Sequence, residues 1–179
     1  SATATMNSDR SIRHVRYLKT YATAMLGQRL LDWQKSGSNA YSQRNRSHKS
    51  LPPAGVRRVV TLLRITETFL SIQGESTTTG LPTVFVRLTG CPLRCTYCDT
   101  AYAFTGGQQM SVEMVIDEVE KFGVNRVTVT GGEPLAQPEC ISLLKTLCDQ
   151  GFAVSIETSG ALAINKIDPR VTKVMDLKT

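Results

Sequence analysis

Three cysteines, Cys91, Cys95 and Cys98, stand within eight residues in the spacing C-x3-C-x2-C. Three thiols this close together indicate a metal centre. A [4Fe-4S] cluster normally takes one protein thiolate, most often from cysteine, on each of its four irons. A motif that supplies only three leaves one iron open to a ligand other than the protein. The spacing therefore favours an iron-sulfur cluster with an open iron.

Zinc and disulfide bonds are the competing explanations for these cysteines. Structural zinc prefers four ligands, and the only histidines, His14 and His48, lie far upstream. Three clustered cysteines cannot all pair, and the chain lacks the even cysteine framework of a small secreted domain. Cys140 and Cys148 lie eight residues apart in a predicted helix, and we expect them to pack in the core. A zinc-binding module with a basic RNA-binding arm remains an alternative.

Alternating strands and helices surround the cysteine motif. Two amphipathic patterns predict helices, and the β-branched runs between them predict strands. The predicted helices are 111–122, capped by Ser111, and 138–150; the predicted strands are 59–65, 83–89, 126–130, 153–159 and 173–178. This order implies a parallel sheet with right-handed crossovers. Polar side chains at the carboxyl ends of such strands, including Glu157 and Ser159, should gather at one active face.

The distribution of charge separates the chain into two parts. The 179 residues are 41% hydrophobic, which suits one domain with a core, and no apolar run approaches the ~20 residues of a membrane span. Residues 1–63 hold 11 Lys and Arg against 2 acids, whereas residues 64–179 hold 10 against 13. The basic balance thus belongs to the first part. The part with the motifs is mildly acidic, so charge gives no support for direct nucleic-acid binding there.

The N-terminal part is predicted to be a basic, low-order extension over residues 1–58, followed by the core domain over residues 59–179. The extension is rich in Ser, Arg, Asn and Gln and poor in acids, which disfavours a packed core. Residues 17–33 could form a short amphipathic helix. An organelle transit peptide and an RNA-contacting arm are the functional alternatives to a solvated extension.

Several short segments around the cysteines resemble a known family. These segments are Gln73-Gly-Glu75, Gly80-Leu-Pro82, Phe85-Val-Arg87-Leu, Gly90-Cys91 and Cys98-Asp99-Thr100. The cysteine spacing resembles that of radical S-adenosylmethionine (radical SAM) enzymes, and the neighbouring segments are similar to the 7-carboxy-7-deazaguanine synthase family. The similarity runs from about Arg64 to the end of the chain. Ser76 stands where the family tends to have glycine, a departure from which we expect little consequence.

The resemblance implies an α/β fold, a partial TIM-like (β/α) barrel of the radical SAM type with a parallel sheet. Because the chain stops at Thr179, we expect the C-terminal part of that barrel to be missing. The implied activity is a carbon-nitrogen lyase reaction in queuosine and deazapurine biosynthesis. It converts 6-carboxy-5,6,7,8-tetrahydropterin to 7-carboxy-7-deazaguanine with loss of ammonia. A glycyl-radical-enzyme-activating radical SAM protein is the alternative within the same superfamily.

The resemblance also implies roles for individual residues. Cys91, Cys95 and Cys98 would ligate the [4Fe-4S] cluster, and Thr100 would bind Mg2+. The residues implied for S-adenosylmethionine are Tyr97, Cys98, Asp99, Gly132, Glu133, Glu157, Ser159 and Lys178. The residues implied for the substrate are Ile72, Gln73, Gly74, Arg87 and Thr130. An arginine in a half-buried strand needs a partner, and its planar fork suits the substrate carboxylate; pairing with Glu75 or exposure to solvent is the alternative.

The remaining implications concern partners and location. A radical SAM enzyme needs an electron donor such as a flavodoxin or ferredoxin, and homodimers are common in the resembling family. We expect a small-molecule pterin substrate, no direct nucleic-acid contact and no membrane. Reduced thiols and oxygen-sensitive iron chemistry suit the cytoplasm.

Overall fold

A computed structural model describes residues 62–177 of the chain. The predicted extension over residues 1–58, its helix at residues 17–33 and the residue Lys178 lie outside the described range. The elements are β1 (Leu62–Ile72), β2 (Pro82–Leu88), β3 (Gln108–Ser111), α1 (Val112–Glu120), β4 (Arg126–Gly131), α2 (Cys140–Asp149), β5 (Ala153–Thr158) and β6 (Thr172–Met175). None of the helices in this range is both long and apolar enough to span a membrane.

One six-stranded sheet organises the described residues, in the order β3-β1-β2-β4-β5-β6. Strands β2, β4, β5 and β6 are parallel neighbours, as the alternation of strands and helices predicted. Strands β1 and β3 differ from that prediction, because β1 pairs antiparallel with both β2 and β3. Strand β3 has only four residues, of mixed polarity, so the sequence contains no alternating pattern that would predict a strand there. Its edge position explains why so short a strand suffices.

The two faces of the sheet have different compositions. Val84, Val86, Val127 and Val129 belong to the main core cluster, together with the apolar stripes of α1 and α2. Successive residues of a strand point to opposite faces, so the alternate positions, which include Arg87, lie on the other face. That face carries polar residues such as Arg87, Thr128 and Thr130 beside the stacked rings of Phe69 and Phe85, and it lies opposite the face that packs on α1 and α2. It is the surface on which a ligand site can be built.

The helices follow their sequence signals closely. The side chain of Ser111 accepts a hydrogen bond from the Met114 backbone N–H and so caps α1 as predicted. Gly151, just after α2, has a φ of 85°, the left-handed conformation that favours glycine after a helix. The predicted helix at 138–150 begins two residues later, at Cys140. Cys140 is fully buried in the core and Cys148 packs partly against it, which confirms their predicted packing role.

The loop between β1 and β2 contains a serine in the left-handed backbone conformation. Ser76 has a φ of 67° and is the only non-glycine residue with positive φ among residues 62–177. A side chain in this conformation costs on the order of 1 kcal/mol, which is why glycine suits the position. The Ser76 hydroxyl also hydrogen-bonds the hydroxyl of Thr78 at 3.0 Å, a local bond that offsets part of this cost. The expectation that Ser76 has little consequence stays a prediction.

Candidate active site

A cleft of about 380 Å³ opens at the carboxyl ends of the parallel strands. Its walls come from the ends of β2, β4, β5 and β6 and from the loop of residues 91–98, which we call the cysteine loop. The residues from the strands and from directly after them are Arg87, Thr130, Gly131, Gly132, Glu157, Thr158, Ser159, Val174 and Asp176. Open α/β sheets place their ligands at this edge. The predicted active face is therefore present as a real concavity.

The cysteine loop has no regular secondary structure, and all three of its thiols line the cleft. Cys91, Cys95 and Cys98 are free and partly exposed. No three His, Cys, Asp or Glu side chains between residues 62 and 177 converge closely enough to hold a single metal ion. A four-iron cluster takes one thiolate on each iron, so its ligands do not converge on one point. Three free thiols facing one cleft match that donor set.

Arg94 holds the cysteine loop in shape. Its Nη1 donates hydrogen bonds to the carbonyl oxygens of Cys91 and Leu93, at 2.7 and 2.6 Å. Its guanidinium also lies 4.5 Å from the ring centroid of Phe104, a cation–π contact. Arg94 is not among the site residues predicted from the sequence. Its position between two cysteines was the only signal in the sequence, and the loop carbonyls that it binds are visible only in the structure.

Two glycines at the end of β4, its last residue Gly131 and the following Gly132, form a Gly-Gly segment whose backbone lies close to β2 and to the cysteine loop. A Cβ on Gly132 would lie 2.6 Å from both the Cys91 Cβ and the Gly90 carbonyl oxygen, and a Cβ on Gly131 would lie 2.4 Å from the Leu88 carbonyl oxygen. Real side chains do not reach such distances, so both positions require glycine. The Glu133 backbone N–H closes the contact by donating to the Gly90 carbonyl at 2.9 Å. The Gly-Gly segment thus fixes the position of the start of the cysteine loop relative to the end of β4.

The Glu133 side chain lies beneath the cleft and is fully buried. Its carboxylate accepts hydrogen bonds from the hydroxyls of Thr158 and Ser159 and from the Ser159 backbone N–H, at 2.6–2.9 Å. The Leu135 backbone N–H donates a further bond at 3.1 Å. We call Glu133, Thr158 and Ser159 the Glu133 clamp. It ties the segment after β4 to the end of β5, and Glu133 itself does not line the cleft.

A second buried polar network lies on the open face of the sheet. The Gln73 side chain is 2% exposed, and its Nε2 donates to Thr128 Oγ1 at 3.1 Å and to Glu157 Oε1 at 3.2 Å. Its Oε1 accepts from the Glu75 backbone N–H at 3.2 Å, and Thr128 shares a 2.8 Å hydrogen bond with Ser155. Gln73, predicted to face a substrate, is therefore engaged within the protein. Its visible effect is to orient Glu157, which does line the cleft.

Arg87 lines the cleft beside an acidic and an aromatic neighbour. Its Nε donates to Glu67 Oε1 at 2.9 Å, and the Tyr102 hydroxyl donates to the same oxygen at 2.9 Å. The ion-pair partner is thus Glu67, whereas the sequence alternative named Glu75. Partial burial raises the pKa of Tyr102 to about 12; the charge of Arg87 opposes this rise and the bond to Glu67 adds to it. Tyr102 therefore stays a hydrogen-bond donor at neutral pH.

The last part of the site follows the third cysteine. Tyr97 is 61% exposed, and together with Asp99 and Thr100 it lines the cleft. The Thr100 hydroxyl donates to Asp99 Oδ1 at 2.6 Å. A large exposed aromatic ring at the mouth of a cleft offers a flat surface for a ligand ring. The hydroxyl and carboxylate beside it are oxygen ligands of the kind that Mg2+ prefers.

Most of the residues implied by the resemblance are brought together by the structure. Those that line the cleft are Cys91, Cys95, Cys98, Tyr97, Asp99, Thr100, Arg87, Thr130, Gly132, Glu157 and Ser159. Those that do not line it are Ile72, Gln73, Gly74 and Glu133, and Lys178 lies outside the described residues. The sequence analysis also missed Glu67, Tyr102 and Thr158. Glu67 carried a signal, since a charged residue inside an apolar strand needs a partner.

The geometry agrees with what the chain is similar to. Residues 85–171 match the model of the radical SAM superfamily. A 7-carboxy-7-deazaguanine synthase of Chlorobaculum tepidum is 47% identical over 116 residues, which cover 65% of this chain and 53% of that protein. The 7-carboxy-7-deazaguanine synthase of Koribacter versatilis is 44% identical over 118 residues, covering 65% and 52%. The crystal structure of QueE from Escherichia coli has a TM-score of 0.60 and 28% identity, covering 66% of this chain and 60% of that one.

The match over residues 85–171 and the likeness to QueE agree with the α/β fold of the radical SAM type that the sequence predicted. Both curated relatives named above are 7-carboxy-7-deazaguanine synthases. The chain spans about half the length of these curated relatives.

Proposed function

We propose that this chain carries the radical-generating part of a 7-carboxy-7-deazaguanine synthase. The substrate would be 6-carboxy-5,6,7,8-tetrahydropterin and the products 7-carboxy-7-deazaguanine and ammonia. The observation that carries the proposal is the convergence of three free thiols, the Gly-Gly segment and the polar ends of β4 and β5 on one cleft. The similarity to 7-carboxy-7-deazaguanine synthases over the same range of residues supports it.

The cysteine loop would hold the cluster, with one thiolate each from Cys91, Cys95 and Cys98. A [4Fe-4S] cluster and S-adenosylmethionine, when bound, would supply the radical chemistry that the protein side chains cannot supply. The chain's own part is to place this pair of cofactors against the sheet. Arg94 and Gly132 perform that task through the loop carbonyls and through the close backbone contact.

The wall that runs from Tyr97 to Ser159 would bind S-adenosylmethionine. Tyr97, the Cys98 backbone and Asp99 would form one side, and Gly132, Glu157 and Ser159 the other. Glu133 would act from below, because its carboxylate holds Ser159 and its backbone N–H holds Gly90. Lys178, beyond the described residues, remains a predicted contact.

The substrate would lie on the polar face of the sheet, between the cofactors and β2. Arg87 would pair with the substrate carboxylate, with Thr130 alongside it. Ile72, Gln73 and Gly74 would shape the far wall, with Gln73 acting on Glu157. Thr100 would bind Mg2+ together with substrate oxygens, since Mg2+ takes few protein ligands and keeps its other positions for water or substrate.

Several properties of the whole protein belong to the same proposal. A flavodoxin or ferredoxin would reduce the cluster, and two chains would associate as a homodimer. The product would enter queuosine biosynthesis and hence tRNA modification. Cytoplasmic conditions would keep the loop thiols reduced.

Anaerobic reconstitution with iron and sulfide, followed by electron paramagnetic resonance of the reduced protein, tests the proposal. We expect a four-iron signal that changes when S-adenosylmethionine is added, because the cofactor reaches the open iron. Conversion of 6-carboxy-5,6,7,8-tetrahydropterin is then measured by chromatography. A cluster signal that is insensitive to S-adenosylmethionine would contradict the cofactor assignment. A sensitive signal without turnover of the pterin would contradict the substrate assignment.

A further inference from the structure

A β-bulge aligns Glu67 with Arg87. The register of β1 against β2 pairs Ile65 with Leu88 and then Glu67 with Arg87, so Thr66 is an extra residue on β1. Residues directly opposite each other in an antiparallel pair lie on the same face. Because of the bulge, Glu67 rather than Thr66 lies directly opposite Arg87. Bulges next to functional sites often redirect a side chain in this way.

The Arg87 guanidinium is held on one edge by a carboxylate and lies near two aromatic rings. Its Nε donates to Glu67 Oε1, and the rings of Phe69 and Tyr102 each lie 5.9 Å from its Cζ. Phe69 is itself fixed by stacking on Phe85 at a centroid distance of 5.3 Å. The planar group consequently has little freedom to turn.

The other edge of the guanidinium carries the two Nη atoms. Within residues 62–177 the structure records hydrogen bonding for Arg87 Nε only, and no buried side-chain nitrogen or oxygen in this range lacks a partner. The two Nη atoms are therefore accessible to solvent, and Arg87 lines the cleft. An arginine that presents both Nη atoms is suited to bidentate pairing with a planar anion.

We propose that Glu67 and Tyr102 are positioning residues that fix Arg87 through Nε, so that its Nη edge selects substrates with a carboxylate. The inference rests on the proposed function and adds to it the source of the carboxylate preference. Tyr102 follows the cysteine loop, so it also links the position of Arg87 to that loop. Neither Glu67 nor Tyr102 needs to touch the substrate.

The test compares the affinities of two probes for the full 179-residue chain, reconstituted anaerobically and saturated with S-adenosylmethionine. Pterin-6-carboxylate carries the anion and unsubstituted pterin lacks it, and quenching of their fluorescence gives both affinities. We expect Glu67→Ala to weaken binding of pterin-6-carboxylate roughly tenfold, the size of a lost hydrogen bond to a charged group. Binding of pterin should change by less than about twofold, so selectivity is what falls.

Three further variants separate positioning from general damage. Glu67→Gln keeps an acceptor oxygen of the same shape and should restore most of the selectivity. Tyr102→Phe keeps the ring but loses one bond to Glu67, so it should lower selectivity by about two- to threefold; it also serves if Glu67→Ala does not fold. Asp149→Ala, on a surface ion pair at the end of α2, is the control and should match the unmodified chain.

The outcomes distinguish this inference from the proposed function. Equal weakening of both probes in Glu67→Ala, or no recovery in Glu67→Gln, would overturn the positioning role. Arg87→Ala provides the reference. If it abolishes the preference for the carboxylate while Glu67→Ala and Tyr102→Phe leave it intact, only the positioning role fails. If Arg87→Ala leaves the preference unchanged, the assignment of Arg87 to the substrate carboxylate fails as well.

Discussion

The cysteine loop and the Glu133 clamp lie next to each other and have opposite properties. The loop has no regular structure, and its three thiols are partly exposed and free. The Glu133 carboxylate is fully buried, and both of its oxygens accept hydrogen bonds from within the protein. The clamp is therefore complete without a ligand, whereas the loop presents donors that only a ligand can use. This contrast distinguishes the proposed ligand-binding loop from the buried carboxylate that ties the neighbouring strand ends together.

Removing a cysteine from the cysteine loop should have the largest effect, which we expect to see in cluster content. Cys95→Ala removes one thiolate of three, so we expect no stable four-iron absorbance after anaerobic reconstitution. Because Cys95 is outside the core cluster, the variant should keep its far-ultraviolet circular dichroism. Cys148→Ala is the matched control, since it also removes one thiol but leaves the loop intact, and it should take up iron normally. Normal cluster content in Cys95→Ala would remove this residue from the ligand set.

Disrupting the Glu133 clamp should instead lower the free energy of unfolding. Glu133→Ala leaves the buried hydroxyl of Thr158 and the partly buried donors of Ser159 and Leu135 without their acceptor, so we expect the free energy of unfolding to fall by about 3 kcal/mol. Urea denaturation of the cluster-free protein measures this change. Glu118→Ala removes a glutamate from a surface pair with Lys121 and should cost ~0.5 kcal/mol or less. A loss in Glu133→Ala no larger than in this control would show that the clamp does not stabilise the fold.

The contact between the two regions can be tested with glycine substitutions. In Gly132→Ala the new Cβ would meet the Cys91 Cβ and the Gly90 carbonyl oxygen at 2.6 Å, so the cysteine loop must shift. We expect reduced cluster content and a loss of about 1–2 kcal/mol in stability. Gly74→Ala is matched in chemistry, but its Cβ would have no neighbour within 4 Å. It should retain cluster content and stability, and similar behaviour of the two variants would argue against a steric role for Gly132.

The same contrast explains what could be predicted from the sequence. The cysteine loop was predictable because ligand chemistry requires particular residue types at close spacing. Helices α1 and α2 and the strands β2, β4 and β5 were predictable because their apolar periodicity records which side faces the core. These features are local, so a short stretch of sequence contains the information.

Features that depend on distant partners were not predictable from local patterns. Glu133 bonds residues 25 and 26 positions away, and the Gln73 side chain reaches Glu157, 84 positions away. The pairing of Glu67 with Arg87 depends on a bulge that no local pattern marks. The antiparallel placement of β1 and the crossover from β5 to β6 without a regular helix also depend on the whole sheet. The sequence therefore indicated the candidate ligand residues better than the residues that hold them in position.

The last prediction concerns the buried Cys140 beside the clamp, whose effect on stability depends on pH only in the alkaline range. Burial, with a further contribution from the negative charge of Glu133, raises the pKa of the Cys140 thiol from 9.0 to about 12. The folded protein then keeps this proton between pH 9 and pH 12 while the unfolded chain loses it. The stabilisation from this group is therefore complete below pH 9 and disappears as the pH rises towards 12, with a slope of at most about 1.4 kcal/mol per pH unit. Cys140→Ala should lower stability by a constant amount below pH 9 and show a shallower alkaline decline in urea denaturation. If the free energy of unfolding declines in parallel above pH 9 for Cys140→Ala and the unmodified chain, this thiol ionises alike in the folded and unfolded states.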